Sequence, residues 1–206
     1  MMQSDMRRRK IIGISLIVLS VLLLLLGAMY LYSKRNEARE NDISDSGRFS
    51  QEYSEIPEDN MFVYADIDEI VDVFERGTGI VYLGFPECPW CQRYVRYLYE
   101  VAKEKGVEEI YYFNVRNDRT ENSEGYQKLV SELDGFLSFD EEGNPRIYVP
   151  DVSFVVSGKI VGHDNETSTQ SGDVDMYWVE ERVQGLKRRL RDMFNTLDVE
   201  CATCNV

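Results

Sequence analysis

The sequence predicts an α/β domain, a central mixed β-sheet flanked by helices, preceded by a single N-terminal transmembrane helix. Three observations carry this prediction. Residues 11–32, "IIGISLIVLSVLLLLLGAMYLY", form an apolar run without a charge. From Met61 to Leu197, runs of strand-forming residues alternate with amphipathic helical patterns. That alternation breaks once, near the end, into a hairpin.

At about 1.5 Å rise per residue, the apolar run is long enough to cross a ~30 Å hydrocarbon core. It exceeds the h-region of a cleaved signal peptide, and no A-x-A-like site follows it. An uncleaved span is therefore expected. Residues 1–10 form a basic head with Arg7, Arg8, Arg9 and Lys10, which favours a cytoplasmic N-terminus. The domain beyond is then extracellular, on a single-pass protein of the cell membrane. Residues 33–60, "SKRNEARENDISDSGRFSQEYSEIPEDN", are polar and charged and read as a flexible tether.

Order is expected from Met61. "MFVYA" suits a short strand. "DIDEIVDVFERG" has Asp66 or Asp68 as its start and Ile67, Ile70, Val71 and Phe74 on one helical face. Gly77 and Gly79 end it. "IVYLGF", Ile80 to Phe85, is apolar enough for a strand buried on both faces. Cys91, Val95, Leu98 and Val101 or Ala102 then recur at helical spacing as far as Gly106, a C-terminal stop. Glu109 to Val115 is a strand, "RNDRTENSEG" a polar loop and "YQKLVSELDGF" a helix. After a loop with Gly143 and Pro145, Ser153–Val156 and Lys159–Gly162 form a hairpin about Ser157-Gly158. "DNETSTQSGDVD" reads as an exposed insertion, and its Asn165-Glu166-Thr167 fits a glycosylation sequon. Met176 to Leu197 is a last amphipathic helix through Val179, Val183, Leu186, Leu190 and Phe194. The domain spans 61–197, and 198–206 is a tail.

The net charge of −14 argues against nucleic acid as a partner. Chemistry rests with the four cysteines, arranged as two C-x-x-C pairs. Cys88 and Cys91 stand where a strand hands over to a helix. A crosslink across so short a loop gains little chain entropy, so a structural staple is poorly served there. Cys88 at the helix N-terminus is placed to ionise, and Pro89 near the first helical position costs no hydrogen bond. Cys91, one turn on, lies on the buried side and can attack a mixed disulfide formed at Cys88. The like charge of Glu87 should oppose the Cys88 thiolate. Phe85, Pro86 and Trp90 border the pair, with Trp90 expected to face solvent as a substrate platform.

Cys201 and Cys204, in "DVECATCNV", admit three readings: a local disulfide, a second redox pair exchanging with Cys88, or half of a four-cysteine zinc site. The pairs are separated by far more than the ~15–20 residues of zinc ribbons, so no metal site is expected. His163, the sole histidine, reads as a surface loop residue, which leaves cysteine–histidine hydrolysis without a base.

"YLGFPECPWCQRYV" after a buried strand, with "YVPDVSFVVSGKIVG" later, resembles the thioredoxin superfamily. With the anchor, it more narrowly resembles the thioredoxin-like bacteriocin transport accessory proteins of Gram-positive bacteria. The resemblance implies a thioredoxin fold, with Cys88 attacking and Cys91 resolving. It also implies a cis-proline loop at Val149-Pro150 that offers backbone to an extended substrate. Two residues depart from the pattern. Pro89-Trp90 replaces the usual Gly-Pro, and Tyr82 occupies the position of a buried aspartate that accepts a proton in thioredoxins.

The expected function is therefore a membrane-tethered thiol–disulfide oxidoreductase that reduces, forms or isomerises disulfides in exported proteins or peptides. It needs no cofactor beyond its own redox-active disulfide, and it needs a redox partner, which the sequence does not name, to recharge it. The alternative is a non-enzymatic accessory or binding module for peptide export, with a structural Cys88–Cys91 bond.

Overall fold

The computed structural model describes residues 44–203 together with Gly27 and Met29, with side chains as far as Val199. The basic head and nearly all of the expected span, 11–32, lie outside the described residues. Among the described residues no helix is long and apolar enough to cross a membrane.

The first element corrects the tether. Asp45–Glu52 is a helix, α1, inside the segment expected to be flexible to residue 60. Its Phe49, with Tyr53 and Ile56 just beyond, is buried in the core. The three stand four and three residues apart, the spacing of one helical face. Asp45 accepts the Tyr64 N–H at 3.1 Å, which ties the helix start to the sheet. The domain begins at Asp45.

The strands are β1 (Phe62–Tyr64), β2 (Gly79–Gly84), β3 (Ile110–Asn114), β6 (Asp151–Val156) and β7 (Lys159–Asp164). They pair in the order β1-β3-β2-β6-β7. The first three are parallel, β6 runs antiparallel to β2, and β7 runs antiparallel to β6. Two short strands, β4 (Ser138–Phe139) and β5 (Pro145–Arg146), pair separately in the loop that contains Gly143. Every residue of β2 after Gly79, and all of β6, is buried, as expected of strands covered on both faces.

The helices are α2 (Ile67–Arg76), α3 (Pro89–Lys105), α4 (Arg116–Glu121), α5 (Glu124–Glu132), α6 (Val174–Tyr177) and α7 (Glu180–Thr203). Asp66 and Glu69 form a capping box at the start of α2, each side chain accepting the other's backbone N–H. Gly106, at φ 70°, closes α3 in the left-handed conformation that a Cβ would disfavour. One face of the sheet carries Phe62, Tyr82, Tyr112 and Phe154, which meet Phe49 of α1, Tyr94 of α3 and Phe194 of α7. Against the other face, α2 packs on β3 and β6 and is itself covered by α5.

Three further expectations change. The loop "RNDRTENSEG" contains α4, closed by Asn122 at φ 50° and followed by Ser123 as the α5 N-cap. The insertion is not wholly exposed, because Asp164 and Thr167 are buried. The last helix is broken: α6 ends at Trp178, and Val179, expected on the apolar face, is exposed. The break lets Tyr177 and Trp178 turn onto α3, against Trp90 and Tyr97.

Candidate active site

Strand β2 delivers Phe85, Pro86 and Glu87 to a turn closed by the Cys88 N–H on the Phe85 carbonyl at 3.1 Å. Cys88 is the N-cap of α3, and its Sγ accepts the Cys91 backbone N–H at 3.2 Å. Pro89 takes the first helical position, where its missing N–H costs nothing. Both cysteines are free thiols. Cys88 keeps 8% of its surface exposed and Cys91 none, so only the first is open to a reactant.

Their acidities diverge. Cys88 is lowered to about 7, first by the hydrogen bond from the Cys91 thiol, then by the Cys91 and Trp90 backbone N–H groups and the charge of Arg119, with burial opposing. Cys91 is pushed well up, chiefly by burial and then by its bond to Cys88. The pair therefore holds one proton between two sulfurs, with the negative charge at the exposed one. Glu87, expected to oppose that thiolate, pairs with Arg116 at 2.7 Å and is not among the main influences on Cys88.

The Val149–Pro150 bond is cis. Both residues are buried, and the Val149 carbonyl oxygen stands 4.0 Å from Cys88 Sγ. The structure thus brings Cys88, Cys91, Val149 and Pro150 to one end of the sheet. Trp90 is half-buried with its ring edge-on to Tyr177 at 5.1 Å, and does not stand free in solvent as expected. Cys201 falls in the last turn of α7. Its side chain, and the whole of Cys204, lie outside the described residues, so the three readings of that pair are unchanged.

Tyr82 fills the place of the absent aspartate with a hydroxyl. It donates to the Cys91 carbonyl at 3.3 Å; turned to the nearby Cys91 sulfur instead, the same proton favours that thiolate. Complete burial keeps the phenol protonated, so it is a donor and not a base. Gly84 makes the room: a Cβ there would lie 2.9 Å from the Tyr82 oxygen. Below it Tyr94 and Tyr112 stack on the Tyr82 ring, and Tyr53 donates to the Tyr112 hydroxyl at 3.2 Å.

His163 is corrected. It lies on β7 with its side chain 7% exposed, sharing a 3.0 Å hydrogen bond with Ser153 Oγ and standing 3.4 Å from Asp151. Burial lowers its imidazole to about 4 and raises the Asp151 carboxyl, so the charged form of each is disfavoured. Serine, histidine and aspartate in line invite a hydrolytic reading, but Ser153 is fully buried and no substrate reaches it.

Sequence reasoning missed Arg119. It sits on α4, half-buried, donates to the Ile147 carbonyl at 3.2 Å and lies 5.2 Å from the Phe85 ring centre. The only prior signal was the basic pair Arg116 and Arg119 one turn apart after β3, in a segment read as loop.

No family model, curated protein or solved structure significantly matches the chain. The likeness is one of geometry: a mixed five-stranded sheet between helices, with a C-x-x-C pair at the start of the helix that follows β2. That arrangement is thioredoxin-like.

Proposed function

We propose that the protein is a thiol–disulfide oxidoreductase acting on disulfides of exported proteins or peptides. The supporting observation is the asymmetry of the pair: a Cys88 that keeps 8% of its surface open and ionises near neutrality, beside a fully buried Cys91 whose thiol is pushed well up. The Cys88 thiolate attacks one sulfur of a substrate disulfide. A mixed disulfide forms, and the other substrate sulfur leaves as a thiolate. Cys91 then attacks Cys88 Sγ, closing the Cys88–Cys91 bond, and its proton leaves with the second substrate sulfur. The substrate gains two electrons and the protein is oxidised by two. A dithiol partner resets the pair by the same exchange, and a disulfide partner drives the sequence in reverse. An extended substrate strand lies along Val149, whose neighbour Pro150 offers no competing N–H.

The reading includes a membrane span at 11–32 with the domain outside the cell, where disulfides persist. It also takes the narrower likeness, to accessory proteins of bacteriocin transport, as the class of export the protein serves. The deciding experiment is reduction of a fluorogenic disulfide peptide by the full-length protein with a dithiol donor. Cys88→Ser should abolish turnover and Cys91→Ser should accumulate a mixed disulfide through Cys88. Absence of turnover in the unaltered protein leaves only a binding module with a structural bond, and turnover that survives Cys88→Ser removes Cys88 as the attacking group.

A further inference from the structure

Among the arginines of the domain, most are answered by a carboxylate. Arg48, Arg76, Arg93, Arg96, Arg116, Arg189 and Arg191 all make ion pairs. Arg119, Arg146, Arg182 and Arg188 do not, among the described residues, although acids outnumber bases 37 to 23 in the chain; Arg182 and Arg188 are exposed, which sets Arg119 and Arg146 apart. Both are half-buried. Both line one cavity of about 350 Å³, with Asn122, Tyr126, Asp140 and Asn144 around them.

Two guanidiniums sharing a partly desolvated cavity repel each other, an arrangement that costs stability unless an anion sits between them. Burial, and after it the charge of Arg146, disfavours the charged form of Arg119. The one acid on the wall, Asp140, accepts the backbone N–H groups of Glu142 at 3.0 Å and Asn144 at 2.8 Å through a single oxygen; it feels the charge of Arg146 but makes an ion pair with neither arginine. The Tyr126 hydroxyl accepts from the Ile147 N–H at 3.2 Å and keeps its own proton to donate. The cavity also abuts the reacting centre. Arg119 grips the Ile147 carbonyl, two residues from Val149, and faces the Phe85 ring, three residues from Cys88.

We infer that the Arg119–Arg146 cavity is a subsite for a carboxylate carried by the disulfide substrate, an Asp or Glu close to the reacting cysteine. This rests on the oxidoreductase reading and deepens it by naming what the site selects. A planar guanidinium is suited to a carboxylate, which it can hold by paired hydrogen bonds. The subsite would fix the substrate strand against Val149 while its sulfur meets Cys88.

The test uses the full-length protein and two disulfide peptides that differ only in Glu or Gln beside the cysteine. The Glu peptide should show a kcat/KM at least tenfold higher at low ionic strength, and the ratio should shrink in 0.5 M salt, as roughly expected of a Debye length falling below 10 Å. Arg146→Gln should bring the ratio near one, whereas Arg188→Gln, an exposed arginine elsewhere on α7, should keep it. Equal rates in the unaltered protein, or a ratio that survives Arg146→Gln, would overturn the subsite. S-methylated versions of both peptides separate this inference from the reading beneath it. Preferential binding of the Glu form without any exchange keeps the subsite and removes the oxidoreductase; equal binding and equal exchange do the opposite. The disulfide of mercaptoacetate, compared with that of its amide, identifies the carrier. The same preference there points to small thiols, and its absence there to peptides.

Discussion

An acidity of about 7 at Cys88 has a direct readout, because alkylation proceeds through the thiolate. Within the Cys88–Cys91 pair, iodoacetamide labelling should rise with a midpoint close to pH 7 and belong to Cys88 alone, read by peptide mapping apart from the tail cysteines. Cys91, buried and raised, should stay unlabelled across that window. Equal labelling of the two thiols would remove the division of roles. Tyr82 offers a second measurement. A hydrogen bond to a charged group contributes about 1.5–3 kcal/mol, so Tyr82→Phe should slow Cys91's attack on the mixed disulfide by roughly tenfold or more. Gly84→Ala should resemble it, since the new methyl takes the space of the Tyr82 hydroxyl. Unchanged decay of the mixed disulfide in Tyr82→Phe would leave the phenol a packing residue. His163 has the plainest signature. As the sole histidine it gives one imidazole resonance, and with the folded value lowered to about 4 that resonance should not titrate between pH 8 and about 5. In the unfolded chain it titrates near ~6.5. The unfolded state therefore binds this proton first on acidification, and the group's share of stability is lost from about 6.5 down towards 4.

Helix α1 stakes the domain's stability on a segment that composition had assigned to a tether. Phe49 stacks on Phe62 at 4.0 Å and on Tyr53 at 4.5 Å, all fully or almost fully buried. Phe49→Ala should cost ~3–5 kcal/mol in denaturant unfolding, the usual range for a buried phenylalanine. A loss below ~1 kcal/mol would return α1 to the tether. The signal was present in Phe49, Tyr53 and Ile56, but averaging over 33–60 buried three periodic residues among charges. Elements whose ends carry their own chemistry were legible: the Asp66 cap, the Cys88-Pro89 start of α3, the Gly106 stop and the Ser157-Gly158 turn. Helix α4 was not, because it buries none of its side chains and so leaves no apolar period to read. The break before α7 was hidden for the opposite reason, since Val179 continues the period in sequence while the chain turns away in space. At the site, Cys88 and Cys91 are local and could be found from spacing. The cis state of Val149–Pro150 followed only from resemblance. The Arg119–Arg146 cavity joins residues 27 positions apart through a loop, which no local pattern encodes.

For the chain as a whole, the proposed span at 11–32 predicts that full-length protein stays with membranes through high-salt and carbonate washes, because a run this apolar has no favourable aqueous state. Protease added to intact protoplasts should remove the domain; protection would reverse the proposed orientation. The chain's two tryptophans give the finished molecule an optical consequence. Trp90 lies two residues from Cys88 and edge-on to Tyr177, which in turn meets Trp178 at 5.1 Å, and Trp178 meets Tyr97. Light absorbed anywhere along this run of rings has a short path to the indole beside the sulfurs, where a disulfide quenches emission and a dithiol does not. The protein thus carries a built-in fluorophore for its own electron count. Titrating that emission against a redox buffer should read the potential without a label, nearer ~−270 mV than ~−120 mV for a thiolate stabilised only modestly. Trp90→Phe should extinguish the signal, while Trp178→Phe should dim the light but leave its redox midpoint where it was.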